Sequence, residues 1–324
     1  MKLEKILKWL LYAVAVVPLI IFSQYISPFH FGKVVVFRSL VELALVFYIL
    51  LVWRDRSYLP KKDIVFWGFL LFAVAFSVTT LTSVQLYESF WGTLERMGGV
   101  WTFWHYFVYF VILTSVLRTE KDWFNLLKFM VFVSVLSAFY GFLQKTDISW
   151  IVGSGNRTRI FGTIGNAALF AGYQIVNMFL AMTLYFRSQN TNRQKSFFAI
   201  AAMINFIAIM MTAVRGSILG IGIGFLVFSF LYAWTFNSAR AKKALIGLVI
   251  LAAIFFIFAQ TMRNSDFVKN SGYLTRLTDF SLKTFTVQTR FWAWQAGIDG
   301  WNDSAKTVLL GWGPDNFNIP FSIH

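Results

Sequence analysis

The chain has 324 residues, 58% of them hydrophobic and 13% charged, against about 45 to 50% apolar and about 25% charged in soluble domains. That balance excludes an ordinary soluble enzyme. Lys and Arg outnumber Asp and Glu 29 to 14, a net charge of +15, and in so apolar a chain cations belong at membrane edges rather than on nucleic acid.

The N-terminus, MKLEKILKWLLYAVAVVPLIIF, has the basic start and apolar run of a secretory signal, but further apolar runs follow, so it reads as a first span. A bilayer core takes about 20 apolar residues per helix, which gives about nine spans. They lie at 6–26, 34–53, 64–82, 100–117, 124–143, 164–186, 197–213, 218–236 and 244–261. Residues 262–324 are of mixed character and contain no span. The predicted fold is therefore all-α: a polytopic membrane helix bundle over 1–261, then a long extracytoplasmic segment over 262–324. Aromatics at 19% suit lipid-facing helices with interfacial belts. The absence of cysteine excludes disulfides, thiolate metal sites and Cys nucleophiles.

Short loops that keep their Lys and Arg stay in the cytoplasm. One alternate set of loops, with the N-terminus, holds fifteen: Lys2, Lys5 and Lys8, then Arg54, Arg56, Lys61 and Lys62, then Arg118 and Lys121, Arg187, Arg193 and Lys195, and Arg240, Lys242 and Lys243. The other set holds six: Lys33, Arg96, Lys145, Arg157, Arg159 and Arg215. The N-terminus is predicted inside, and residues 262–324 outside.

Arginines on the outer face oppose that bias and call for a reason. Arg215 sits in a turn of a few residues between two apolar runs, either as an interfacial anchor to lipid phosphate or as part of a site. Residues 153–174, GSGNRTRIFGTIGNAALFAGYQ, offer Gly162 and Gly165, whose N–H groups would be open to a ligand, and a helix start near Asn166. The alternatives there are an anion cradle and a flexible connection with two interfacial arginines. The loop 84–106 carries Glu88, Glu95 and Arg96 beside Trp91, Trp101 and Trp104; it reads as a sugar-binding surface or as an aromatic belt with surface charges. His105 reads as a packed or interfacial histidine rather than a base.

Arg38 and Glu42 are four apart in the second span, where an unpaired charge costs about 2.5 to 3.5 kcal/mol. An i, i+4 ion pair is the first expectation, and a proton-coupled or substrate role the second. Phe291, Trp294, Ile298 and Trp301 recur at helical spacing, so a short amphipathic helix is expected near 289–301, capped by Thr289, with Arg290 in its first turn. Gly311, Gly313 and Pro314 dictate a tight turn after it. No P-loop, dinucleotide fingerprint, His-Glu-x-x-His or paired-Asp metal motif is present. No metal or other cofactor is expected.

Four of these segments together resemble the O-antigen ligase and O-antigen polymerase superfamily of integral membrane glycosyltransferases, in the family's order. They are SFWGTLERMGG at 89–99, RIFGTIGNAALFA at 159–171, TAVRGSILG at 212–220, and TRFWAWQAGIDGW with LLGWGPDNF within 289–317. Val214 stands where the family usually has serine. The resemblance implies a polyprenyl-diphosphate-linked glycan as donor, a glycan, lipid-core or protein acceptor, and transfer at the outer face of a bacterial inner membrane, periplasmic or extracellular. It assigns Arg159 and Arg215 to the diphosphate as catalytic residues, with Arg290 a third candidate; together with the residue readings above, Arg157, Arg290, Asn166, Glu95 and Arg96 are the substrate-binding candidates. The family's Asp-x-x-His-Asn base element is absent, so His324 is not assigned as base, and the resemblance leads one to expect further spans beyond it. A transporter or flippase for an anionic lipid-linked glycan is the competing expectation.

Overall fold

The computed structural model describes residues 2–25, 27–155, 158–187, 190–236, 239–262, 264–270, 275 and 285–323. All regular structure among them is helical. Each of the nine apolar runs holds a helix: α1 (Lys2–Val16), α2 (Phe31–Arg54), α3 (Ile64–Leu81), α5 (Val100–Val116), α6 (Glu120–Leu143), α7 (Ala167–Phe186), α8 (Asn192–Met211), α9 (Arg215–Phe236) and α10 (Ala239–Met262). Shorter helices are α4 (Leu86–Trp91), α11 (Asp266–Lys269), α12 (Phe285–Trp301), α13 (Ala305–Leu310) and α14 (Asn318–Ile323). Five of them, α2, α3, α6, α7 and α8, are long and apolar enough to cross a membrane. By length and composition these helices are compatible with a multi-pass membrane protein and with lipid contact.

Local chemistry sets the helix ends. Asp63 caps α3 by accepting the Phe66 N–H at 2.9 Å, and Thr191 with Gln194 forms a reciprocal capping box at the start of α8. The first expected run is cut short: α1 ends at Val16, and a 3-10 turn over Val17–Leu19 follows. Pro18 within it has no N–H to continue the helix. The described part of helix α12 begins at Phe285, four residues before the expected cap, so Thr289 lies inside the helix and Arg290 beyond its first turn.

The contacts divide the chain into two compact units, Met1–Phe129 with Ser281–His324, and Met130–Phe280. In the first unit α2 packs on α1 and α5, and α3 and α4 on α5. Lys8 on α1 bonds Asp122 at 2.8 Å and Glu4 at 2.9 Å.

In the second unit α7 packs on α8, and α9 on α7, α8 and α10. A polar seam joins its helices: Asn205 Nδ2 donates to Ser134 Oγ at 3.1 Å, and Gln174 Nε2 donates to the Ser134 carbonyl at 3.3 Å. All three side chains are buried. Such interhelical bonds stabilise a bundle in lipid by about 0.6 to 2 kcal/mol each, where apolar contact alone has little to drive it.

His30 precedes α2. Burial lowers its proton affinity from the ordinary pKa of 6.5; Glu95 acts against this, while Lys33 and Arg96 act with it. The unfolded chain therefore takes up the proton first as pH falls. The stability tied to His30 is complete above 6.5 and is lost as pH drops below it. Melting temperature in detergent should show that fall in the parent protein and a flatter profile in His30→Gln.

Candidate functional site

In the second unit the site is built around Gln144, directly after α6. Its buried amide uses four bonding positions at once. Oε1 accepts the N–H groups of Phe161 at 3.0 Å and Gly162 at 2.9 Å, and Nε2 donates to the carbonyls of Val152 and Gly162, each at 3.1 Å. The Tyr140 hydroxyl also accepts the Val152 N–H at 3.0 Å. One side chain thus holds both arms of the loop that carries Arg159. Ile160, fully buried, packs against Ala138, Phe170 and Ala208.

The Ile160 N–H donates to the Met211 carbonyl at 3.1 Å. That bond joins the residue after Arg159 to the end of α8, four residues before Arg215, so the two arginine-bearing segments lie side by side. Between them Thr212, also fully buried, donates to the Ile209 carbonyl at 2.6 Å and accepts the Val214 N–H at 3.3 Å. Ala213 takes a left-handed φ of 51°, and α9 opens on Arg215. Both arginines are half-buried.

Asn166 is exposed and caps α7, its Oδ1 accepting the N–H groups of Ala168 at 2.9 Å and Leu169 at 3.3 Å. Contrary to expectation, Gly162 and Gly165 do not present open N–H groups. The Gly162 N–H is held by Gln144 and the Gly165 N–H by the Phe161 carbonyl. Gly162, at φ 54°, is required because a Cβ there would stand 2.3 Å from the Phe170 ring. Arg157 lies outside the described residues.

In the first unit, two segments that are far apart in sequence interlock. Ser89 Oγ donates to the Pro314 carbonyl at 2.8 Å, Asn316 Nδ2 donates to Ser89 Oγ at 2.8 Å, and the Asp315 carboxylate accepts the Thr93 N–H at 3.1 Å. The turn 311–316 is thereby fixed on the loop that bears Glu95 and Arg96, both exposed. Gly313, at φ 93°, lies against Ser83, whose Cβ would be 2.2 Å from an added Cβ. Gly313→Ala should cost about 3 kcal/mol from strain and overpacking, read as a lowered melting temperature. Arg290 is exposed on α12.

The expected Arg38–Glu42 pair does not form. Arg38 is buried and donates to Thr102 Oγ1 at 2.9 Å and to the Met97 carbonyl at 3.1 Å, tying α2 to the start of α5. Glu42 instead meets His105 Nε2 at 3.0 Å, while His105 Nδ1 donates to the Trp101 carbonyl at 2.8 Å. A carbonyl only accepts, so Nδ1 carries hydrogen, and the Glu42–His105 contact then requires one further proton between them. His105 is packed, as expected, and has a carboxylate partner that the sequence did not indicate.

Among the described residues no group of three or more His, Asp or Glu side chains is placed to hold a metal ion. The chain matches no family model, no curated protein and no solved structure.

Proposed function

We propose that the chain is a membrane glycosyltransferase of the O-antigen ligase and polymerase type, moving a glycan from a polyprenyl diphosphate to an acceptor hydroxyl. The observation that carries this reading is the Ile160–Met211 bond, which sets the Arg159 and Arg215 segments side by side at one end of the second unit. In this reading nine spans cross a bacterial inner membrane, the N-terminus is cytoplasmic, and that end faces the periplasm or exterior, with residues 262–324 on the same side.

The acceptor oxygen attacks the anomeric carbon, the bond from that carbon to the diphosphate breaks with inversion, and the electron pair leaves on the phosphate. The hydroxyl proton passes to a base, which we assign to no residue of this chain. Arginine is permanently cationic and grips phosphate oxygens in bidentate fashion. Because negative charge grows on the leaving group, fixed cations there stabilise the transition state more than the ground state. Asn166, in the second unit with Arg159 and Arg215, stays with the reading as a substrate contact, and Arg290, Glu95 and Arg96 of the first unit stay as separate sugar-contact candidates.

Purified protein, a polyprenyl-diphosphate-linked glycan and a chelator test it. Glycan transfer with release of polyprenyl diphosphate is the expected result. The intramembrane Glu42–His105 pair favours the transporter alternative; passage of the lipid-linked glycan across sealed vesicles, with no glycosidic product, selects that one.

A further inference from the structure

The first unit contains a cavity of about 280 Å³ between α12 and the chain that follows it, lined by Trp301, Trp312, Asp315, Phe317, Pro320 and Gly297 among others. We propose that it binds one pyranose ring of an uncharged sugar. The place of that ring in a transfer reaction rests on the glycosyltransferase reading; the binding itself rests on the cavity.

The walls combine the two surfaces that a sugar ring requires. Its C–H faces pack on aromatic rings, and its hydroxyls need hydrogen-bond acceptors at the edge. Both indoles are fixed through their N–H groups: Trp312 Nε1 donates to the Gly300 carbonyl at 2.8 Å and Trp301 Nε1 to the Val308 carbonyl at 3.1 Å. With those donors occupied, what the two indoles offer a ligand is apolar ring surface. Trp301 and Phe317 are half exposed, at 53% and 52%, so a soluble ring reaches them. Glycines bring the walls together, since a Cβ on Gly300 would stand 2.3 Å from Pro320 and one on Gly297 3.4 Å from Phe317.

Asp315 supplies the acceptor. Its backbone has a left-handed φ of 58°, and one carboxylate oxygen is anchored by the Thr93 N–H at 3.1 Å. An ionised carboxylate offers about four acceptor positions, of which the Thr93 N–H takes one, and Asp315 lines the cavity. Exposed aromatic residues of α12 on a bilayer account for Trp301, but not for a carboxylate in the same cavity wall, whose remaining acceptor positions an acyl chain would leave unfilled. Among the described residues no Lys or Arg lines the cavity. There an acidic sugar would meet the like charge of Asp315.

Saturation-transfer NMR on the whole protein in detergent micelles tests the proposal, with D-glucose, D-galactose, N-acetyl-D-glucosamine and D-glucuronate as probes. Transfer to the ring C–H protons of at least one neutral sugar is expected, with less to glucuronate. Trp301→Ala and Asp315→Asn should each weaken that binding about 10-fold. Asp315→Asn keeps an oxygen for the Thr93 N–H, and unchanged melting of this variant separates lost recognition from lost folding. Absent sugar signals, equal signals in both variants, or displacement of the sugar by detergent chains would each overturn the pocket. Those outcomes leave transfer at the arginines to be judged by its own assay, and sugar binding without any transfer would retain the pocket and remove the transferase reading.

Discussion

Replacing Arg215 by alanine is expected to lower glycan transfer about a hundred- to a thousandfold, the usual effect of removing one group that stabilises developing negative charge. The loss should fall on kcat, because the charge appears only as the bond to the diphosphate breaks. Arg215→Lys keeps the charge and loses the two-pronged grip, so an intermediate rate is expected. Arg159→Ala should behave alike, and the double variant should lose less than the product of the two single losses if both arginines hold one diphosphate. Their segments share the Ile160–Met211 bond, which makes such coupling geometrically reasonable. Steady-state transfer with the lipid-linked donor measures all four variants. Unchanged turnover in Arg215→Ala, with the melting temperature retained, removes the diphosphate role and leaves the arginine as an anchor to lipid phosphate.

The helices were legible because hydropathy and length are local properties of the chain, and each apolar run holds one. Their ends were less so. Pro18 stops α1 inside an apolar run that continues to residue 26, where composition gave no signal but a missing N–H did. Spacing misled at Arg38 and Glu42, because i, i+4 geometry names only neighbours on one helix. Thr102 and His105 on α5 offered each side chain a partner that spacing cannot reveal.

The arginines were visible as exceptions to charge sorting, whereas the residues that position them were not. Gln144 belongs to no motif, and its partners lie 8 and 17 to 18 positions away. The Gly-Pro turn was readable as a turn, but its docking on Ser89 and Thr93 depends on a fold that brings together residues over 220 positions apart.

Gln144→Leu should be the most damaging single change outside the arginines. The substitution preserves bulk and removes all four hydrogen bonds of the amide, leaving the N–H groups of Phe161 and Gly162 and the carbonyls of Val152 and Gly162 without that partner. Each buried group left unsatisfied costs about 1 to 3 kcal/mol, so a total of roughly 4 kcal/mol is expected even if water reaches some of them. That is a large share of the ordinary folding margin of about 5 to 15 kcal/mol. The damage should also be directional. Ile160 follows the loop that Gln144 ties down, so loosening the loop moves Arg159 relative to Arg215, and transfer should fall in protein that is still folded at low temperature. Gln144→Glu separates the two effects. Its carboxylate still accepts from Phe161 and Gly162 but, when ionised, faces the Val152 and Gly162 carbonyls without a hydrogen to donate. Lower pH, which protonates it, should restore part of the melting temperature in this variant and none in Gln144→Leu. Thermal unfolding across pH, paired with transfer rates well below the melting point, measures both; equal stability of the leucine variant and the parent would show that the amide does not organise the loop.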